Sequence, residues 1–422
     1  MDAALAPGSP SAAERDAAYR RALRVLLAAQ VLAGAGLAAG ITVGALLAEE
    51  MLGATGAAGL STALFTLGAA GAALVVGRIS QASGRRPGLA AGYAVGAVGG
   101  ALVVLAADLD SIPLLFVALV LYGSGTATNL QARYAGADLV EPARRGRAIS
   151  AVLVATTVGA VVGPNLVEAT GALARDLGLP TLSGPFLLAT ASYALAAVVV
   201  VVLLRPDPLL TARTWAARTE RDRVGGPVAA VPGDPRTVRL AAAAMVMTQV
   251  VMAGVMTMTP IHMRDNGHGL GAAGFVISVH VAAMYLPSPV SGWLVDRIGR
   301  RPVLAAAALT LAAAGVLAAA APADSMVLLT IALALLGFGW SLGLVAGTAM
   351  VTDAAPLVTR ARTQGSVDLK VALAGAAGGL GSGFVVAGAG FAVLGLVGGA
   401  IALTLIPLLL ADRSRPRAVA VA

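Results

Sequence analysis

The 422-residue sequence lacks cysteine entirely and contains only three histidines. Without cysteine there is no disulfide framework, no thiol nucleophile and no thiolate metal site. The three histidines show no HExxH-like spacing, so the sequence offers no metal site and no catalytic residues. We therefore expect no cofactor and no metal ion, and we expect that the protein is not an enzyme.

Charge is also scarce, because charged residues make up 12% of the chain, against about 25% in typical soluble domains. Hydrophobic residues make up 58%, and the mean hydropathy is +0.87. The net charge of +8 lies in short breaks between apolar runs and forms no basic surface cluster. This composition excludes a cytosolic enzyme, a disordered chain and a nucleic-acid-binding module. An all-α polytopic membrane protein is the class that remains.

Apolar stretches of about 20 residues, the length of a membrane span, predict twelve transmembrane helices. They lie near 23–48, 57–79, 88–107, 112–135, 148–171, 183–204, 238–261, 272–294, 302–321, 326–350, 365–388 and 390–410. The polar first 22 residues have no small-residue cleavage site, which favours a retained cytoplasmic tail over a signal peptide.

The basic residues predict the orientation of these helices. The chain has 29 Lys and Arg residues in all. In the twelve-span arrangement all of them except Arg175 and Arg264 fall on one side of the membrane. Because cytoplasmic loops are rich in Lys and Arg, we expect both termini in the cytoplasm. The expected location is the cell membrane (plasma or inner membrane), as a multi-pass protein.

The longest polar break, residues 205–237, separates six predicted spans from six. The expected domains are an N-terminal tail (1–22), a six-helix bundle (23–204), a cytoplasmic linker (205–237), a second bundle (238–410) and a C-terminal tail (411–422). One constant shift in numbering, the repeat offset, superimposes Gly84-Arg85-Arg86-Pro87 on Gly299-Arg300-Arg301-Pro302, Asp138 on Asp353, Arg145 on Arg360 and Arg147 on Arg362. Two related six-helix halves are typical of transporters with a substrate site between them.

The segment Gly292-Trp293-Leu294-Val295-Asp296-Arg297-Ile298-Gly299-Arg300-Arg301-Pro302 resembles the G-x-L-x-D-R-x-G-R-R signature of the major facilitator superfamily. Gly292 and Gly299 permit close helix approach and a tight turn. Asp296 is suited to cap a helix N-terminus or to pair with arginine as a latch. The first-half copy contains Gly77, Gly84, Arg85 and Arg86, but it has Gln81 and Ala82 where the signature has Asp and Arg. The resemblance implies two pseudo-symmetric six-helix bundles.

Gly159, Gly163 and Pro164 resemble the G-x-x-x-G-P motif of proton-coupled exporters in this superfamily, the drug:proton antiporter type. The resemblance implies export. The same residues are also consistent with helix packing alone, because Gly and Pro are common in membrane helices. Related exporters carry an arginine where this chain has Leu119, so no coupling arginine is inferred there.

Ionisable residues inside membrane spans are functional hypotheses by default, and four are candidates for proton coupling: Asp368, His280, Glu168 and Arg133. Asp368 is interpreted either as a proton carrier or as an acid at the positive end of its helix. His280 is either a proton switch or a hydrogen-bond donor to a neighbouring helix. Arg133 is a counter-ion of Asp368 or of the substrate, or an interfacial positive charge. Glu168 lies near the outer end of the fifth span.

Two helices carry candidate residues for a substrate cavity. Tyr122, Thr126, Asn129 and Arg133 recur at spacings of four, three and four, which places them on one helix face. In the methionine-rich seventh span, Gln249 lies near Met252 and Met256, and such a surface suits apolar ligands or ordinary packing. Trp340 is a further cavity candidate, or it fills a packing gap.

The repeated loop charges predict a cytoplasmic gate. Its members are Asp138, Arg145 and Arg147 in the first half and Asp353, Arg360 and Arg362 in the second. Salt bridges between the halves would stabilise an outward-open state, whereas solvated charges would have no such role. The repeat favours salt bridges.

We predict a monomeric secondary active transporter in the lipid bilayer, with a small-molecule substrate and protons as partners and no nucleic acid. The expected activity is proton-coupled efflux of small apolar or amphipathic compounds by alternating access. One alternative is a transporter of a hydrophilic metabolite such as a sugar, an amino acid or an organic anion. A more distant alternative is a membrane receptor or scaffold with the same fold.

Overall fold

The computed structural model describes residues 10–52, 57–224, 233–322 and 324–411, and within these ranges the chain is helical and contains no strand. The predicted tails therefore lie partly outside the described residues. The first half contains α1 (Ala12–Leu52), α2 (Ala57–Ser83), α3 (Arg85–Asp108), α4 (Ile112–Ala137), α5 (Arg145–Asn165), α6 (Val167–Asp176) and α7 (Gly184–Leu203). Helix α8 (Pro208–Val224) lies in the linker. The second half contains α9 (Pro235–Asp265), α10 (Leu270–Tyr285), α11 (Ser288–Ile298), α12 (Arg300–Ala320), α13 (Met326–Ala354), α14 (Arg360–Leu403) and α15 (Leu405–Ala411).

Each half has its own hydrophobic core. Leu26, Tyr93 and Tyr193 belong to the core of the first half, which is built from α1–α5 and α7. The core of the second half is built from α9–α15, and Ile149 and Leu153 of α5 join it. The halves are therefore separate packing units that meet along part of their length.

Several helices are long and apolar enough to cross a membrane. Among the described residues there are nine such stretches by length and composition: Ala63–Ser83, Arg85–Asp108, Ile112–Ala137, Thr181–Thr219, Pro235–Asp265, Gly271–Ile298, Arg300–Ala320, Met326–Ala354 and Arg360–Ala411. The last is 52 residues long, and Gly390 has non-helical angles (φ 86°, ψ 169°) inside it. The all-helical polytopic class is confirmed, whereas the count of twelve spans and the cytoplasmic termini stay predictions.

Two predicted spans are interrupted next to prolines. The predicted span 148–171 is divided because α5 ends at Asn165, directly after Pro164, and α6 begins at Val167. The predicted span 272–294 is divided at Pro287, between α10 and α11. Proline cannot donate the backbone hydrogen bond that continues a helix, which explains both breaks.

Single glycines make the sharp turns between α2 and α3 and between α11 and α12. Gly84 has φ 100° and Gly299 has φ 93°, values that a Cβ atom strongly disfavours. These two glycines are related by the repeat offset. The repeat in the sequence is therefore a repeat in backbone conformation.

Candidate functional site

Asp138, at the end of α4, is the centre of a buried ion cluster. Arg85 Nε donates to Asp138 Oδ2 at 2.7 Å, and both side chains are at most 1% exposed. Arg360 Nη1 of α14 lies 3.9 Å from Asp138 Oδ1. The cluster therefore joins two residues of the first half to an arginine of the second.

Asp353 is the centre of the equivalent cluster. Arg300 Nε donates to Asp353 Oδ2 at 2.8 Å, and Arg145 of the first half pairs with Asp353 Oδ1. Each residue here is the counterpart, at the repeat offset, of one in the Asp138 cluster. We refer to the two clusters together as the gate, and to the end of the bundle that contains them as the basic end.

Two side chains cap helices of the opposite half beside the gate. Asp296 accepts hydrogen bonds from the Gly146 and Arg147 backbone N–H groups at 2.8 and 3.0 Å. Gln81 Oε1 accepts from the Ala361 N–H at 2.9 Å, and Gln81 Nε2 donates to the Val358 carbonyl at 2.5 Å. The first-half motif thus makes the same kind of latch as the second without an aspartate.

Glycines allow the halves to approach closely at the basic end. A Cβ atom on Gly77 of α2 would lie 2.9 Å from the Ala361 carbonyl oxygen of α14. A Cβ atom on Gly292 of α11 would overlap with the Gly146 carbonyl oxygen of α5. The two contacts are again related by the repeat, and both require a residue without a side chain.

Helix α8 of the linker also bridges the halves. Asp207 anchors it to the first half by accepting from the Arg86 N–H at 2.7 Å. Arg213 Nη2 donates to the Gln81 carbonyl at 3.0 Å, and its Nε donates to the Leu357 carbonyl at 3.3 Å.

A second buried ion pair lies deeper than the gate. Arg133 Nη2 of α4 donates to Asp368 Oδ1 of α14 at 2.6 Å, with the side chains 0% and 4% exposed. The Tyr134 hydroxyl donates to the same oxygen at 3.1 Å, and the Tyr134 ring lies 4.3 Å from the Arg133 guanidinium. Arg133 Nε donates to the Thr348 hydroxyl at 2.9 Å. Arg133 is therefore the counter-ion of Asp368 across the interface between the halves.

Two other polar residues on this face of α4, Tyr122 and Asn129, form hydrogen bonds within the first half. The Tyr122 hydroxyl donates to the Gly36 carbonyl of α1. Gln30 Nε2 donates to the Asn129 carbonyl and to the Thr156 hydroxyl, both at 3.0 Å. Thr126 is half-buried. The Arg133 side chain of the predicted face forms hydrogen bonds with Thr348 and Asp368 of the other half.

In the second half, the predicted cavity residues Gln249 and Trp340 are direct neighbours. Trp340 Nε1 donates to Gln249 Oε1 at 2.8 Å, and the Tyr285 ring lies edge-on to Trp340 with centroids 5.6 Å apart. Met252 is buried and Met256 is half-buried on the same helix as Gln249. Tyr285, Trp340 and Gln249 thus form one aromatic and amide group within the second half.

His280 and Glu168 are not joined to that pair by any contact among the described residues. His280 Nδ1 lies 2.8 Å from the Leu333 carbonyl inside the second half. Glu168 is exposed in the first turn of α6. Gly159 packs on the backbone of α1 near Val31, and the Pro164 side chain lies outside the described ones. The described residues contain no group of three or more potential metal ligands.

Sequence reasoning missed several buried neutral polar residues, some of which contact these charges. Gln30 and Gln364 are buried amides on apolar helices, and Thr348 and Tyr134 contact the ion pair directly. An uncharged amide in a membrane helix is a signal that was available in the sequence, because a buried amide must be hydrogen-bonded.

Comparison with known proteins places the chain in a family. A family model described as Major Facilitator Superfamily matches residues 25–284 and 241–422. The uncharacterised MFS-type transporter YdeG of Bacillus subtilis is 53% identical over 399 residues, which span 94% of this chain and 93% of that protein. The riboflavin transporter RfnT of Brucella anthropi is 30% identical over 411 residues, with coverages of 96% and 98%. The crystal structure of the human organic anion transporter MFSD10 superimposes with a TM-score of 0.76 at 17% identity, covering 93% of this chain and 99% of that one.

Proposed function

The chain belongs to the Major Facilitator Superfamily and is a membrane transporter, and we propose that it exports small amphipathic compounds in exchange for protons. The observation that carries this proposal is the Arg133–Asp368 ion pair, which is buried and joins the two halves. Burying one charge of such a pair without the other costs about 3–5 kcal/mol. The protonation state of Asp368 therefore depends on whether α4 and α14 are in contact, because that contact supplies Arg133.

Exchange follows from this linkage. While Asp368 is ionised, it holds Arg133 and the basic end stays closed. For the halves to separate there, Asp368 must lose Arg133, and a proton on the carboxylate removes the cost of leaving it unpaired. With the predicted orientation the basic end is cytoplasmic, so the described state is closed towards the cytoplasm. Protons that arrive from outside would permit the change to the inward-facing state, in which substrate enters.

The second half supports an amphipathic aromatic substrate. Trp340 and Tyr285 offer flat apolar faces, and Gln249 offers an amide beside them. Methionines on the same helix as Gln249 adapt to ligands of different shapes. One aromatic substrate can therefore contact these ring faces and the Gln249 amide together.

A second candidate is transport of an anionic or polar aromatic metabolite. Its specific support is the Arg133 guanidinium, which lies between an aromatic ring and an acid and would bind an anion if Asp368 were neutral. RfnT, at 30% identity, is named a riboflavin transporter, and riboflavin is a polar aromatic compound. This candidate differs from the first in substrate and leaves the ion-pair mechanism unchanged.

Transport in proteoliposomes with an imposed pH gradient tests both candidates, with ethidium as an amphipathic probe and riboflavin as the polar one. We expect ethidium transport to follow the gradient. We expect Asp368→Asn to lose gradient-driven transport but to keep exchange of substrate across the membrane. The matched control is Glu168→Gln, which neutralises an exposed acid and should behave as wild type.

Three results would count against the proposal. Ethidium transport that ignores the gradient contradicts proton exchange. Gradient-driven transport that Asp368→Asn leaves intact contradicts the assignment of the ion pair. Riboflavin transport without ethidium transport favours the second candidate.

A further inference from the structure

We infer that Gln364 is a positioning residue that transmits the state of the Arg133–Asp368 pair to one of the two gate clusters. This inference rests on the proposed function, because it concerns how the ion pair controls the basic end. Gln364 lies on α14, four residues after Arg360 of the gate and four before Asp368. That spacing places the three side chains on one face of the helix, a turn apart.

Gln364 uses both ends of its amide. Its side chain is fully buried. Arg85 Nη2 donates to Gln364 Oε1 at 2.5 Å, and Gln364 Nε2 donates to the Thr352 hydroxyl at 3.1 Å. Because Arg85 also holds Asp138 of the gate, the amide connects the Asp138 cluster to α13.

From α13 the connection continues to the ion pair. The Thr352 hydroxyl donates to the Thr348 carbonyl at 2.8 Å, and the Thr348 hydroxyl accepts from Arg133 Nε at 2.9 Å. Two sets of hydrogen bonds thus meet at Thr348, one from Asp138 to its backbone carbonyl and one from its hydroxyl to Arg133 and Asp368, and the residue itself joins them. These links lie in a buried region, where hydrogen bonds are electrostatically stronger than in water and changes in one affect the next.

The Asp353 cluster has no equivalent connection at these positions. The repeat offset places Ile149 where the second half has Gln364, and Ala137 where it has Thr352. Both are apolar and fully buried, so neither accepts nor donates a side-chain hydrogen bond. The two gate clusters are therefore built from equivalent residues but differ in their link to the ion pair.

Because of this asymmetry, the two clusters respond differently to the protonation of Asp368. When Asp368 is neutral, Arg133 loses its counter-charge, and the bonds through Thr348, Thr352 and Gln364 change with it. Arg85 then holds Asp138 less firmly, and the basic end opens on that side first. The Asp353 cluster contributes to closure without responding to Asp368.

A double-mutant cycle measured at the gate tests the inference. Since the chain has no cysteine, spin labels at Ser83→Cys and Ile298→Cys report the distance between exposed, repeat-related positions of the two halves in lipid nanodiscs. The open-to-closed ratio is measured with and without Asp368→Asn, in the wild-type and Gln364→Leu backgrounds. We expect Asp368→Asn to raise the ratio, and Gln364→Leu to reduce that effect by about 5-fold or more, the lower range of allosteric coupling.

Two further variants separate coupling from damage to the fold. Thr352→Val preserves shape, cuts the same connection at another point, and should reduce the effect of Asp368→Asn similarly. Gln81→Leu removes an amide that lies beside the gate and outside the connection, and it should leave that effect unchanged. If Gln364→Leu and Thr352→Val behave as Gln81→Leu does, the inference is overturned.

The outcome is independent of the transport assay. The cycle measures gate distances, so coupling found without proton-driven transport would reject the proposed function and retain the role of Gln364. If the effects of Asp368→Asn and Gln364→Leu on the gate distance are independent while transport is proton-driven, the role of Gln364 is rejected and the proposed function is retained.

Discussion

Gln81 and Asp296 occupy equivalent positions in the two halves, and each caps the first turn of a helix in the opposite half. Their chemistry differs. The Asp296 carboxylate adds a negative charge at the positive end of α5, which is worth about 0.3–1 kcal/mol. The Gln81 amide lacks that charge but donates to the Val358 carbonyl. The Asp296 cap depends on charge, whereas the Gln81 cap depends on an amide that both accepts and donates a hydrogen bond.

Charge substitutions at these positions should therefore both weaken closure. Asp296→Asn keeps the size of the side chain and removes its charge, so we expect the closed basic end to lose about 0.5–1 kcal/mol. Gln81→Glu adds a charge but cannot donate to the Val358 carbonyl, and we expect a loss of about 1–3 kcal/mol. Spin-label distances across the basic end measure both effects. A closed state strengthened by Gln81→Glu would refute this account of the amide.

Closure also depends on the contact between Gly77 and Gly365. Gly77→Ala would place a methyl group 2.9 Å from the Gly365 Cα and the Ala361 carbonyl oxygen. Both are backbone atoms, so the overlap cannot be relieved by a change of side-chain rotamer. We expect it to favour the state open at the basic end by about 1–3 kcal/mol. Gly71→Ala is the control on the same helix, because no atom lies within 4 Å of its added carbon. Equal effects of the two substitutions would exclude a steric cause.

His280 is expected to act in packing and not in proton transfer. A carbonyl only accepts, so the Leu333 carbonyl assigns the hydrogen to His280 Nδ1. We expect His280→Ala to lower the free energy of unfolding by about 1–3 kcal/mol through the lost hydrogen bond and the cavity left by the imidazole, while transport keeps its dependence on the pH gradient. Thermal unfolding and the proteoliposome assay measure the two quantities. Lost gradient dependence at unchanged stability would show instead that the imidazole carries the coupled proton.

The N-terminus of α9 should show a pH-dependent stability. The Thr237 hydroxyl donates to Asp234 at 2.6 Å, and this bond with two backbone N–H groups lowers the pKa of Asp234 below its ordinary value. The stabilisation is present above the unfolded pKa of about 3.9 and is lost as the pH falls through the folded one. We expect Asp234→Ala to cost about 1 kcal/mol at neutral pH.

Thermal unfolding of the wild type and Asp234→Ala at several pH values checks this assignment. The difference in melting temperature should shrink as the pH falls below the ordinary range of aspartate. A difference that stays constant into strong acid would mean that the cap does not depend on the ionised carboxylate.

The gate was predictable because charges are rare in this chain and recur at one interval. Asp138 and Asp353 were identifiable as a pair of acids near arginines, and both form ion pairs with the opposite half. Because the two halves are related, equivalent residues contact equivalent partners. A charge pattern that occurs twice in the sequence therefore predicts a pair of equivalent contacts. A repeat of charges therefore carries information about long-range contacts that a single charge does not.

The deeper site was only partly predictable. Asp368, His280 and Glu168 all appear in the sequence as ionisable groups in or near apolar spans, yet Asp368 alone among them reaches a buried arginine. Which side of a helix faces the other half depends on how the helices pack, and Arg133 lies 235 residues from Asp368. The residues that complete the site, Gln364 and Thr348, carry no charge, so a pattern of ionisable residues does not include them.

The basic end has the form of an isologous interface within one polypeptide, the arrangement found where two identical subunits meet on a twofold axis. Each surface patch is complementary to its own copy, as the reciprocal contacts of Asp138 with Arg360 and of Asp353 with Arg145 illustrate. In a homodimer a substitution at such an interface always occurs twice. In this single chain a substitution can occur in one half without the other. The two related patches can therefore differ in sequence, and one side of a symmetric interface can respond to Asp368 while the other does not.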